Sequence, residues 1–222
     1  MLLGIIINNC FSFYLQNSIK AALSLGDASS DLIADFSAPY ALPRCKSKHS
    51  DLQAISPETV SNLIRGEYSE VIDNYVIVDC RYPYEYEGGH IEGAQNIYTK
   101  SDILDRFMKS DEFTSKAVDS NKKNVIIFHC EFSSERGPKM CRYLRESDRK
   151  ENADQYPRLT YPEIYILEGG YKAFYEHESS QCTPQTYKPM LHADHSQDLK
   201  HFRAKTKSMN GSRCNRRRML RC

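Results

Sequence analysis

The sequence predicts an α/β domain in which a central parallel sheet is flanked by helices. Tyr75-Val76-Ile77-Val78, Val125-Ile126-Ile127-Phe128 and Tyr165-Ile166-Leu167 are short runs of β-branched and aromatic residues. They are apolar at consecutive positions, as expected for strands covered on both faces. Between the second and third runs lies a stretch with helical periodicity, and strands separated by helices argue for parallel pairing. A chain of 222 residues that is 40% hydrophobic can close such a core without disulfide staples.

In chain order, residues 1–28 are an unassigned extension. Met1 to Ile7 is apolar, but Asn8 and Asn9 interrupt it and no positive charge precedes it, so a signal peptide is a weak match. No run approaches the about 20 apolar residues of a membrane span. A helix starts at Pro57, with Ser56 as N-cap and Val60, Leu63 and Ile64 as its apolar face; Gly66 ends it. From Gly137 to Lys150, Met140, Cys141 and Leu144 form one stripe and Arg142, Arg145 and Arg149 another, an amphipathic helix. Glu168-Gly169-Gly170 closes the third strand. Residues 29–180 are thus expected to form the domain, and 181–222 a basic tail with a short helix around Leu199 and Phe202.

Charge is unevenly spread. The net formal charge is +1, from 30 Lys and Arg against 29 Asp and Glu, yet nine of the basic residues and no acidic one lie from Leu199 onward. The eight cysteines contain no C-x-x-C pair, which excludes a zinc framework, and their spacing in a long chain does not suit a small disulfide scaffold. Free thiols are expected, so a special cysteine has to be recognised by its neighbours.

Ligands of parallel sheets bind beyond the carboxyl ends of the strands. Two cysteines fall there, Cys80 in Asp79-Cys80-Arg81 and Cys130 in His129-Cys130. The second opens His129-Cys130-Glu131-Phe132-Ser133-Ser134-Glu135-Arg136, a C-x5-R spacing between a buried strand and a helix. A loop of that length can turn successive backbone N–H groups of Glu131, Phe132, Ser133, Ser134, Glu135 and Arg136 toward one tetrahedral oxyanion, with the helix N-terminus behind them. Such surroundings favour the thiolate of Cys130, the nucleophile. The guanidinium fork of Arg136 matches two phosphoryl oxygens. Against this stands the plainer possibility of a buried cysteine and a surface cation, since C-x5-R alone arises often by chance. His129 is read as structural or orienting, because adjacent residues on an extended chain point to opposite sides.

HCEFSSERGPKMCRYLRESDR, DCRYPYEYEGGHIEGAQNI and YPEIYILEGGYKAFY resemble the M-phase inducer phosphatases, dual-specificity phosphatases that activate cyclin-dependent kinases. The similarity runs from Leu32-Ile33-Ala34-Asp35-Phe36 through Phe202-Arg203-Ala204-Lys205-Thr206-Lys207-Ser208. It implies a rhodanese-like three-layer fold and removal of inhibitory phosphate from adjacent Thr and Tyr of a kinase, without cofactor or metal. It also implies that Cys80 is a redox partner able to capture oxidised Cys130, and that Arg145, Arg149 and Tyr156 form a remote docking site for the kinase–cyclin complex. Asp79, Arg81 and His90 are read as supporting the fold. Expected besides are a monomer in nucleus and cytoplasm, promotion of G2/M progression, no membrane or nucleic-acid partner, and a phosphoserine-binding adaptor as a candidate partner of the tail.

The chain departs from broader tyrosine phosphatases in two ways. It has no Trp, hence no Trp-Pro-Asp loop to deliver an acid, and Gly137 stands where a hydroxyl often follows the arginine. Candidate acids are Glu131, preferred, and Glu135, or an acid on the substrate. A sulfurtransferase shares the fold, but its loop is typically one residue shorter. A noncatalytic binding module is the third reading, made unattractive by intact Cys130 and Arg136.

Overall fold

The computed structural model describes residues 31–109 and 122–218, with side chains to residue 207. Two compact units divide the chain, Met1–Tyr40 and Ala41–Cys222; everything below concerns the second.

Its centre is a sheet of five parallel strands: β1 (Ala54–Ile55), β2 (Ile72–Asp79), β4 (Gln95–Asn96), β5 (Lys123–His129) and β6 (Ile164–Leu167), in the spatial order β1-β6-β5-β2-β4. A small antiparallel ladder joins β3 (His90–Ile91) to β7 (Cys182–Thr183). Val125 to His129 and all of β6 are buried at every position, so consecutive apolar residues are required where alternation would expose half of them. Helix α1 (Pro57–Ile64) packs with α5 (Gly170–Glu178), and α3 (Lys100–Phe107) with α4 (Arg136–Glu151), which makes the three layers. Short α2 (Pro83–Glu87) follows β2.

Local chemistry sets the boundaries. Ser56 Oγ accepts from the Thr59 N–H at 3.1 Å, capping α1 with Pro57 in its first turn. Past the end of that helix, Gly66 takes φ +81°, which a side chain would strain. Met140, Cys141 and Leu144 of α4 enter the core beside Val78, Ile126 and Phe128. Burial there pushes the Cys141 thiol up to about 12, as befits a packing residue.

Asp79 and Arg81 form a fully buried pair, Nη2 to Oδ2 at 2.6 Å. Arg81 Nη2 also donates to the Gly89 carbonyl at 2.8 Å, and its guanidinium lies over the Tyr171 ring. Burial by itself would raise the Asp79 carboxyl, but Arg81 and then His129 outweigh it and hold it below the usual carboxylate range. His90 stacks on Tyr86 and shares a 2.9 Å hydrogen bond with the Tyr86 carbonyl.

The segment expected as a tail is part of the domain. β7 starts at Cys182, and Tyr171 Oη and Thr186 Oγ1 donate to the Thr186 and Gly88 carbonyls. Gly89 is forced by this packing, since a Cβ on it would lie 1.8 Å from the Thr186 oxygen. The short helix of the sequence reading is the 23-residue α6 (Ser196–Arg218). It docks through Phe202, whose ring stacks on Tyr82 at 5.5 Å and meets Tyr98 edge-on at 5.6 Å. Tyr82 and Tyr98, from separate segments, supply that socket, so charge and periodicity in the tail alone did not show it.

Candidate active site

Parallel register between β2 and β5 aligns Val78 with Phe128 and Asp79 with His129. The next residue on each strand is a cysteine, Cys80 and Cys130, both buried and both free thiols. The Cys80 N–H donates to the His129 carbonyl at 2.8 Å, continuing the ladder to this point. Burial first, and then the charge of Cys130, push the Cys80 thiol well above its ordinary range, so Cys80 is not a competing nucleophile at neutral pH.

The loop after Cys130 is held open by α5. N–H groups of Tyr171 and Lys172 at its N-terminus donate to the carbonyls of Cys130 (2.9 Å) and Glu131 (3.1 Å). With those carbonyls drawn outward, the loop's N–H groups are left to the other side, and among the described residues none from Glu131 to Glu135 donates to a protein acceptor. Gly170 makes the close approach possible: it takes φ +67°, and a Cβ there would fall 2.4 Å from the Cys130 oxygen. Ser133 turns the loop with φ +50°, a left-handed conformation unusual for a residue with a side chain. Arg136 then opens α4. Gly137 has its own reason: a Cβ would stand 3.0 Å from the His129 carbonyl carbon, so a Ser or Thr does not fit without a shift.

Arg136 is fixed by a residue the sequence reading missed. Both carboxylate oxygens of Glu85, a buried residue of α2, accept from its guanidinium, at 2.5 and 2.9 Å. Glu85 also accepts from the Tyr82 N–H at 3.0 Å, which caps α2. Burial works against the charge of Arg136, but Glu85 outweighs it and holds the guanidinium protonated. A buried Glu between aromatic residues at the start of a helix was the available signal.

The candidate acids separate. Glu131 is buried, and its carboxylate accepts from Tyr187 Oη at 2.6 Å and faces the Met190 N–H at 3.4 Å, with Arg136 Nη2 at 4.0 Å. The preference for Glu131 as proton donor is corrected on these contacts: its carboxyl group is engaged by the Tyr187 and Met190 donors and holds the 185–190 segment to the loop. Glu135, exposed, lines a cavity of about 450 Å³ with Arg136, Tyr82, Lys139, Arg203 and Lys207. Phe132 is half-exposed at the rim, and Ser134 is exposed. His129 is fully buried with Nε2 3.9 Å from Asp79, and burial, only partly offset by Asp79, keeps its imidazole neutral at lower pH than usual.

The arginine ridge also needs correction. Arg142 is bound by both oxygens of Asp51, at 2.7 Å each. Arg145 turns inward, donating to the Tyr161 (2.6 Å) and Pro162 (3.0 Å) carbonyls and to buried Asp148. Arg149 and Tyr156 remain exposed. Arg149 lies thirteen positions along α4 from Arg136, hence roughly 20 Å away at 1.5 Å per residue.

A cysteine at a strand end, a loop whose N–H groups have no protein acceptor among the described residues and a clamped arginine at a helix start are the features of a rhodanese-like domain. Residues 58–177 match the Rhodanese-like domain family, and the chain belongs to it. Within that fold it is similar in sequence to the M-phase inducer phosphatases. It is 52% identical over 185 residues to "M-phase inducer phosphatase" of Drosophila melanogaster, covering 82% of this chain and 39% of that one. It is 46% identical to "M-phase inducer phosphatase 1-B" of Xenopus laevis (92% and 38% covered) and 44% to "M-phase inducer phosphatase 1" of Homo sapiens (92% and 38% covered). The chain thus spans about two-fifths of the length of these relatives.

Proposed function

We propose that this domain is a cysteine-dependent protein phosphatase acting on phosphothreonine and phosphotyrosine. What carries the reading is the outward anchoring of the Cys130 and Glu131 carbonyls by α5, opposite a guanidinium locked by Glu85. A phosphoryl group in the loop meets N–H donors on one side, Arg136 on another and the Cys130 sulfur beneath.

In the first step Sγ attacks phosphorus, an S–P bond forms, and the ester P–O bond breaks. The leaving oxygen takes a proton from an acid at the open side of the loop, where Glu135 or a substrate group stands. In the second step a water oxygen attacks phosphorus, its proton passes to that same base, and the S–P bond breaks to return the thiolate and release inorganic phosphate. Donors fixed before reaction stabilise the equatorial oxygens without reorganising, which is where most of the rate enhancement originates.

The substrate we propose is a cyclin-dependent kinase in its cyclin complex, phosphorylated on adjacent Thr and Tyr, with removal promoting G2/M progression in nucleus and cytoplasm. The names of the relatives support this. Exposed Arg149 and Tyr156 and the basic α6 are the surfaces left to select it, and a phosphoserine-binding adaptor would also dock on α6. The test is hydrolysis of doubly phosphorylated kinase–cyclin complex in excess chelator. Release of phosphate from both residues by the wild type and none by Cys130→Ser is expected; equal rates would refute it.

A further inference from the structure

Ser133, at the turn of the loop, carries the strained φ of +50° on a buried residue, and its carbonyl is held from outside the loop. His49 Nε2 lies 3.2 Å from the Ser133 oxygen. A carbonyl only accepts, so Nε2 bears the proton. On the other side of the ring, Arg142 Nη2 lies 3.5 Å from His49 Nδ1, and a guanidinium only donates, which requires Nδ1 unprotonated. Both neighbours therefore select one tautomer. Arg142 is in turn held by Asp51 at 2.7 Å through Nε and Nη2. His49 and Asp51 lie in the segment before β1, and Arg142 lies on α4, so the relay ties the loop to two separate elements.

We propose that His49 is a positioning residue for the phosphate loop: its Nε2–H fixes the Ser133 carbonyl outward and so keeps the following N–H groups turned toward the oxyanion. It completes what α5 does for Cys130 and Glu131, so that three loop carbonyls are anchored away from the site, two by backbone donors and one by a side chain. A left-handed serine persists only where its surroundings over-determine it. With the donor removed, the peptide after Ser133 is free to rotate, and an acceptor turns into the site where a donor is required. The role concerns oxyanion binding and rests on the phosphatase reading only for its effect on turnover.

The test compares the intact 222-residue chain with His49→Ala and His49→Leu, which lack a donor, and with His49→Gln, whose amide can still donate. Three quantities are read: the inhibition or dissociation constant of tungstate, a tetrahedral oxyanion; kcat and KM for a small aryl phosphate; and Tm. Loss of one hydrogen bond should weaken tungstate binding about 3- to 10-fold in the Ala and Leu variants. A parallel fall in kcat/KM should accompany it, with Gln restoring both to within about threefold of wild type. Using both Ala and Leu keeps the test open if one fails to fold, and the Gln rescue separates donor from bulk. Tungstate binding unchanged in the donor-lacking variants, or Gln as defective as Leu, would overturn the proposal. A wild type that binds tungstate in a His49-dependent way yet hydrolyses no phosphoester would refute the phosphatase reading and leave this one standing.

Discussion

Glu85 and Arg136, 51 positions apart, are joined by two hydrogen bonds, Nη1 to Oε2 at 2.5 Å and Nη2 to Oε1 at 2.9 Å. The arginine is thereby aimed before any substrate arrives, and its remaining N–H groups are left to the loop. Replacing Glu85 by Gln removes the charge and one acceptor while preserving shape. About a tenfold loss of kcat/KM on an aryl phosphate is expected, the scale of one charge-assisted bond. Steady-state kinetics check it, and unchanged kcat/KM would contradict the clamp.

Arg145 and Arg149 should behave differently despite lying four residues apart on α4. Arg145 ties the helix to Tyr161, Pro162 and Asp148, so Arg145→Ala should cost about 2–3 kcal/mol in urea unfolding and lower activity on every substrate. Arg149 makes no such anchor, and Arg149→Ala should leave stability and aryl phosphate hydrolysis unchanged while slowing hydrolysis of a kinase–cyclin complex at least tenfold. Comparison of the two substrates with each variant decides it.

Stability should fall on acidification through two groups. Burial depresses the His129 imidazole below its unfolded value, near pH 6.5, so below that pH the unfolded chain binds a proton that the folded one refuses. The loss is up to ~1.4 kcal/mol per pH unit for one proton, until the folded value is reached. Asp79, depressed by Arg81, acts the same way lower down: its contribution is complete above the unfolded carboxylate value of about 3.9 and disappears as pH falls through the folded one. Urea unfolding between pH 7 and 5 should therefore show a limb that flattens in His129→Asn.

Cys80 adjoins Cys130 across β2 and β5, and its raised thiol keeps it unreactive until Cys130 is oxidised. Dilute peroxide is expected to convert Cys130 to a sulfenic acid, which the Cys80 thiol would attack to form a disulfide with loss of water. Peptide mapping should find that bridge in the wild type, with activity recovered by thiol. In Cys80→Ser, sulfinic and sulfonic Cys130 should accumulate and activity should not return.

Much of this was legible in the residues, and the parts that were not share a cause. The strands, the start of α1 and the C-x5-R loop are local patterns: apolar runs of defined length, a Ser-Pro start, a fixed spacing. The helix around Met140 and Cys141 showed through its 3.6-residue period. Glu85, His49 and Tyr187 were invisible because each acts on a residue far along the chain, and only tertiary packing brings them to the loop. Arg145 misled for the same reason. Helical periodicity placed it on a polar stripe, while the Tyr161 and Pro162 carbonyls that claim it arrive from the next strand connection. The segment from residue 181 read as a basic tail with a short helix because the anchor, Phe202, needs Tyr82 and Tyr98 to mean anything.

The claim that most depends on this geometry is covalent phosphoryl transfer to Cys130. Its most direct measurement is rapid acid quench of the wild type during turnover of a phosphorus-labelled substrate, with the label located by peptide mass spectrometry. A transient phosphoryl group on Cys130, formed and lost at rates consistent with kcat and absent from Cys130→Ser, is the expected result. Full turnover with label on another residue, or full activity of Cys130→Ser, would contradict it.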